Sequence, residues 1–92
     1  MDERERLNKI TESVIASTMQ VHSALGPGLL EPAYEACLAY ELQERGFQVE
    51  QQKLLSLVYK QLRVEGAYRI YLLVENTVIV EIKAVETLLP IH

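Results

Sequence analysis

A chain of 92 residues with 13 acidic and 9 basic side chains, a net charge of -4 and a pI near 5.1 has room for one domain, residues 1–92, and no second. That balance argues against a protein that coats nucleic acid through charge alone, and the single cysteine, Cys37, excludes an internal disulfide and points to a reduced, cytoplasmic setting. The apolar runs fall far short of the ~20 residues a membrane helix needs, residues 1–6 carry charges of both signs where a signal peptide would be apolar, and His22 and His92 are too few for a zinc site without cysteine help.

Leu7, Ile10, Val14, Val21 and Leu25 recur at helical spacing, with Ile15 and Thr18 filling the stripe, and predict a first helix over about 7–24. Gly26-Pro27-Gly28 stops it. Glu31-Pro32 opens a second helix, since proline is tolerated in a first turn and a carboxylate suits the positive helix end. Tyr34, Cys37, Leu38 and Leu42 form its apolar stripe, and Arg45 followed by Gly46 marks its end. From Phe47 the period changes to two. Phe47 and Val49 suggest a short edge strand, Leu54 to Tyr59 a second, and Leu62 to Val64 a third after a turn at Lys60-Gln61, with a break or bulge near Gly66. Tyr68 to Val74 and Val78 to Val85 form a last hairpin around Glu75-Asn76-Thr77.

The register of that hairpin follows from its side-chain faces. A three-residue loop pairs Val74 with Val78, and by extension Tyr71 with Glu81. One face then holds Ile70, Leu72, Val74, Val78, Val80 and Ile82, all apolar. The other holds Arg69, Tyr71, Leu73, Ile79, Glu81 and Lys83. A two-residue loop would slip the register by one and mix the faces, which a sheet with one buried face resists. The loop calls for a residue tolerant of positive φ, and Asn76 is the candidate.

Glu81 and Lys83 stand two residues apart on an otherwise apolar strand, so both point to one face. Two readings explain them. One is metal-dependent phosphodiester hydrolysis, with the glutamate on a divalent cation and the lysine handling water or phosphate. The other is a solvated strand face whose charges pair across the sheet. Glu31 is likewise either a site acid or a helix-start residue that satisfies amides and the dipole. Tyr34 reads as core, His22 as a polar helix residue, and Cys37 as a small buried hydrophobe.

Gly28-Leu29-Leu30-Glu31-Pro32-Ala33-Tyr34 fits the pattern GxxExxY. With Val21 to Pro27 before it and Val80-Glu81-Ile82-Lys83-Ala84-Val85 after it, the chain resembles the GxxExxY protein family of the PD-(D/E)xK nuclease superfamily, from about Leu7 to His92. The resemblance implies an α/β, restriction-endonuclease-like core: two N-terminal helices followed by a largely antiparallel sheet of four to five strands. It also implies a metal-dependent nuclease site in which Glu81 is a metal ligand, Glu31 a metal ligand or water-positioning acid, and Lys83 a water-orienting or transition-state cation, with Mg2+ or Mn2+ as the metal. Family members read Arg-x-Asp-Leu-Leu-Val at the hairpin, whereas this chain reads Arg69-Ile70-Tyr71-Leu72-Leu73-Val74, with tyrosine in the aspartate's place. The one aspartate in the sequence is Asp2. The family pattern also continues beyond the position of His92 into a helix and a strand, so a C-terminal truncation is expected.

Phenols ionise only near about pH 10 and are poor ligands for a hard cation. The expectation is therefore a degenerate, inactive relative of a nuclease, with weak or absent metal binding. The alternative is a non-catalytic interaction or homodimerisation module, in which a second copy or a partner chain covers an incomplete sheet. Weak nucleic-acid binding through Lys53, Lys60, Arg63 and Arg69 is a third possibility.

Overall fold

The protein is described here from a computed structural model, whose described residues are 2–82. Helix α1 spans Glu3–Leu25 and α2 spans Glu31–Glu44. Three strands follow, β1 (Val49–Tyr59), β2 (Leu62–Val74) and β3 (Val78–Val80), in one antiparallel sheet of order β1-β2-β3. This is the α/β arrangement of two helices and then an antiparallel sheet. Lys83 and the C-terminal part of the expected last strand lie outside the described residues.

Helix α1 begins four residues earlier than its apolar stripe, because Asp2 caps it. The Asp2 carboxylate accepts from the Glu5 amide at 2.8 Å, which satisfies one of the orphan donors of the first turn. The only aspartate of the chain is thus a helix cap. Ile10, Ser17 and Val21 are the buried residues of α1. Ile15 and Leu25, expected in the stripe, are exposed. At 3.6 residues per turn, Ile15 lies roughly 140° around the helix from Ile10, and Leu25 sits in the last turn, next to the stop at Gly26.

Helix α2 turns Leu38, Ala39 and Leu42 inwards, where they meet Ile10 of α1 and Leu72 and Val74 of β2. Each large side chain fully buried this way contributes about 1.5–3 kcal/mol. Val78, Val80 and Ile82 pack against the same cluster, so the face predicted to be apolar is the one that meets the helices. Leu73 is the exception, buried on the opposite face. Arg6 of α1 ties the far end of this layer to the hairpin loop, donating to the Thr77 hydroxyl at 3.3 Å and to the Glu75 carbonyl at 3.4 Å.

The ladder pairs Val74 with Val78, Leu73 with Ile79 and Leu72 with Val80, the expected register. Asn76 takes φ 57° as expected, and Glu75 takes φ 52° as well. Glu75 is held there from both sides. Its amide donates to the Gln48 carbonyl at 2.8 Å, and its carboxylate accepts from the Gln48 amide at 2.6 Å.

The segments predicted as four to five strands are three in the described residues, because two expected breaks are bridged. At Gln52 the backbone takes φ 55°, yet the register on either side of it is unchanged. Near Gly66 the expected bulge is present: Leu55 pairs with Tyr68 and Leu57 with Val64, so Ser56 faces three residues of β2. Gly66 has φ 64°, which a side chain with a Cβ adopts only under strain. Ladder hydrogen bonds are made by backbone groups, so a polar stretch such as Glu50-Gln51-Gln52 weakens the alternation without ending the strand.

Because Leu42 is fully buried at the junction of both helices and the sheet, Leu42→Ala is expected to destabilise the fold by about 2–5 kcal/mol, whereas Ile79→Ala, on the exposed face of β3, should change it by less than about 0.5 kcal/mol. Urea unfolding followed by circular dichroism measures both.

Candidate active site

The turn between the helices is built for a reversal of the chain. Gly26 (φ 71°) and Gly28 (φ 98°) occupy the left-handed region that favours glycine, and Pro27 between them stiffens the bend. The Gly26 amide closes α1 by donating to the His22 carbonyl at 2.8 Å. Helix α2 then starts at Glu31 with proline in its first turn, and the Ala33 and Tyr34 amides both donate to the Leu30 carbonyl. The Tyr34 hydroxyl reaches back and donates to the Thr18 carbonyl at 3.2 Å, fixing the start of α2 against α1.

This reversal walls a cavity of about 970 Å³ that is completed by the end of β3. Thr18, His22 and Tyr34 line it from the helices, and Val80, Glu81 and Ile82 line it from the sheet. Glu31 lines it too. Two of the acids singled out in the sequence, 50 residues apart, therefore share one cavity. Both are solvent-accessible. Tyr71, 38% exposed, is not among the lining residues. The β2–β3 ladder ends at the pair Leu72–Val80, so Tyr71 and Glu81 each sit one residue beyond its last rung. Lys83 falls outside the described residues.

Residues 8–92 match the PD-(D/E)XK nuclease superfamily. The chain belongs to that superfamily. No curated protein and no solved structure matches the chain. Its members generally use divalent metals, and the cavity is a natural place to test for one. The lining supplies two carboxylates, and among the described residues no group of three His, Cys, Asp or Glu side chains is placed to hold an ion. Magnesium is content with one or two carboxylates when waters and substrate complete its octahedron. Among the described residues, Glu31 and Glu81 are the carboxylates this lining offers a cation.

The most constrained polar group near this end of the fold is one that sequence reasoning missed. Glu35, one helical turn after Glu31, is 7% exposed. Each of its carboxylate oxygens accepts a hydrogen bond from a different glutamine: Gln52 at 2.7 Å and Gln51 at 3.1 Å. Adjacent strand residues normally point to opposite faces. The positive φ of Gln52 breaks that alternation and lets both amides reach the same helix. The same distortion allows Lys53 and Glu50, three apart on a strand, to pair at 3.4 Å. The available signal was the position of Glu35 on the stripe of Leu38, Ala39 and Leu42, where a carboxylate is out of place unless it is bonded.

A second hollow of about 320 Å³ lies between the outer sides of α1 and α2, lined by Leu25, Cys37 and Tyr40 among others. Cys37 is half-buried. The exposed Tyr40 hydroxyl is held above its usual pKa, first by its hydrogen bond to Glu44 and then by that carboxylate's charge. A phenol shifted in that direction stays protonated at neutral pH and is no nucleophile.

A double-mutant cycle on Glu35→Ala and Gln52→Ala is expected to return a coupling of about 1.5–3 kcal/mol, the range for a buried hydrogen bond to a charged group. Additive losses would mean that the contact does not hold α2 to β1.

Proposed function

We propose that this chain is a degenerate member of the nuclease superfamily, whose cavity retains the outline of a phosphodiesterase site and has lost its cleavage activity. The observation that carries the reading is the convergence of Glu31 and Glu81 on one cavity, while tyrosine stands at the motif's aspartate position one residue beyond the last β2–β3 rung, as Glu81 does. Glu81 and Glu31 keep the places of metal ligands, and Lys83 keeps the place of the cation that orients water or stabilises the phosphorane-like charge. Without the aspartate, Mg2+ or Mn2+ binds weakly or not at all, and the attacking water has no adequately activated position. The reduced state of a lone cysteine fits a cytoplasmic protein, and among the described residues no helix is long and apolar enough to cross a membrane.

Residual nucleic-acid binding on this reading is weak. Of the four basic side chains of the hairpin, Lys53 is paired with Glu50, and Arg63 with Glu65 and Ser56. Those partners offset the charge a phosphate backbone would meet.

A second reading, an assembly module completed by another copy or a partner chain, is favoured by one observation. On one face, the distal parts of β1 and β2 expose Leu57, Tyr59, Leu62, Val64 and Tyr68 at 38–62%. The radius of gyration is 15.8 Å, against about 12 Å for a compact chain of this length. The two readings are compatible, since loss of catalysis leaves an assembly surface free to persist.

Isothermal calorimetry with MgCl2 and MnCl2 tests the first reading. The wild type is expected to bind at millimolar strength or weaker, and Tyr71→Asp to tighten binding at least about tenfold, or ~1.4 kcal/mol. Glu81→Gln in the Tyr71→Asp background should reverse the gain. Micromolar metal affinity together with cleavage of plasmid DNA by the wild type would refute the inactivity.

A further inference from the structure

We infer that two copies of this chain associate through the uncovered apolar face of the distal β1–β2 hairpin, stacked face to face and antiparallel. This rests on the assembly reading above and specifies its surface and its occupant.

The hairpin beyond the helices is amphipathic. Its register puts Leu55, Leu57, Tyr59, Leu62, Val64 and Tyr68 on the face that, nearer the helices, continues into Ile70, Leu72 and Val74 of the core. Among the described residues, the helices cover the near part of this face and leave the far part open, with those six side chains 37–62% exposed. The opposite face exposes Leu54 and Val58, which are separated by a polar cluster in which Arg63, Ser56 and Glu65 bond to one another. Charge stays at the margins of the apolar strip. Lys53 at its base is drawn to Glu50 at 3.4 Å, and Lys60 in the turn lies 5.4 Å from the centre of the Tyr59 ring.

Three features select a second copy as the occupant. The first is the order of side chains. Aromatic rings stand at both ends of the strip, Tyr68 at the base and Tyr59 at the tip, with aliphatic residues between them. Antiparallel stacking about a two-fold axis lays β1 over β1 and β2 over β2, so Leu57 meets Leu57, Val64 meets Val64, each Tyr59 meets Leu55 and each Tyr68 meets Leu62, a self-complementary set. The second is charge. Residues 49–71 hold four basic and two acidic side chains in a chain of net charge -4. Helix α2 holds four glutamates and no basic residue. The antiparallel arrangement carries Lys60 at one copy's tip towards the acidic helix of the other, whereas parallel stacking would set basic tip beside basic tip. The third is area. At the observed exposures the six side chains offer on the order of 500 Å² per copy, so the pair buries about 1,000 Å², the threshold for a specific interface. Sheets packed face to face in this way stand about 10 Å apart.

Sedimentation velocity on the whole chain, with circular dichroism to confirm folding, tests the inference. The wild type is expected to dimerise reversibly in the micromolar range. Leu57→Asp and Tyr59→Asp, on the strip, should each raise the dissociation constant at least about tenfold, and Val58→Asp, on the opposite face, should change it less than about threefold. Tyr59 stands at the exposed tip, so its variant carries the test if Leu57→Asp fails to fold. A wild type that stays monomeric at about 100 µM would remove the assembly reading together with this surface. A dimer that survives both strip variants, or that Val58→Asp dissociates, would keep self-association and overturn the surface.

Discussion

The contact on which the remaining structure depends is the packing of one face of α2 against the apolar face of β2. Leu38 and Leu42 meet Leu72 and Val74 there, all with almost no exposure. A hydrophobic contact of that kind sets a distance between layers and leaves rotation and sliding of the helix loosely specified. The Glu35 carboxylate supplies the missing restraint. It accepts from two consecutive glutamines of β1, and because hydrogen bonds are directional, α2 is held at one rotation and one axial position over the sheet. A non-glycine residue in the left-handed region costs about 1 kcal/mol or more, so the Gln52 backbone is strained in proportion to what that clamp contributes.

The site follows from this placement. Glu31 is one turn before Glu35 on the same side of α2, so fixing Glu35 against β1 also fixes where the first turn of α2 points. Glu81 arrives from the other direction, at the end of β3, whose position is set by the three-rung ladder with β2 and by the Glu75–Gln48 contacts at the hairpin loop. Cavity and acids are therefore products of packing and register. Tyr71 belongs to neither arm of this construction, since it lies beyond the last rung and outside the lining. On the proposed reading, tyrosine at that position weakens the site's hold on a cation and leaves the scaffold in place.

Much of this was legible in the residues. The helical stripes located α1 and α2, the Gly26-Pro27-Gly28 stop placed the reversal, and the two-faced alternation of the last hairpin gives the register of its three observed rungs, while the expected Tyr71–Glu81 rung lies beyond the end of the ladder. The motif residues Gly28, Glu31 and Tyr34 with Glu81 pointed to the superfamily that residues 8–92 match. What stayed hidden had physical reasons. Gln51 and Gln52 read as a polar interruption because alternation reports side-chain faces, whereas the ladder is made by the backbone through a distorted residue. Glu35 was passed over because its burial depends on two partners supplied by a strand sixteen and seventeen residues away. Leu25 and Ile15 fall on the apolar stripe yet stay exposed, because periodicity marks a face and says nothing about how far the neighbouring helix extends along it.

On the proposed function, Glu31 and Glu81 face one cation between them, and the residue at position 71 disables the pair. Backbone amide NMR of the isotope-labelled protein with added Mn2+ examines this most directly, because paramagnetic broadening reports which residues surround the ion. In Tyr71→Asp, the amides around residues 28–34 and 80–82 should broaden together at the lowest Mn2+ concentrations, and the wild type should need far more Mn2+ for the same effect. Broadening that reaches Glu31 without Glu81, or that is equally strong in both proteins, would contradict it.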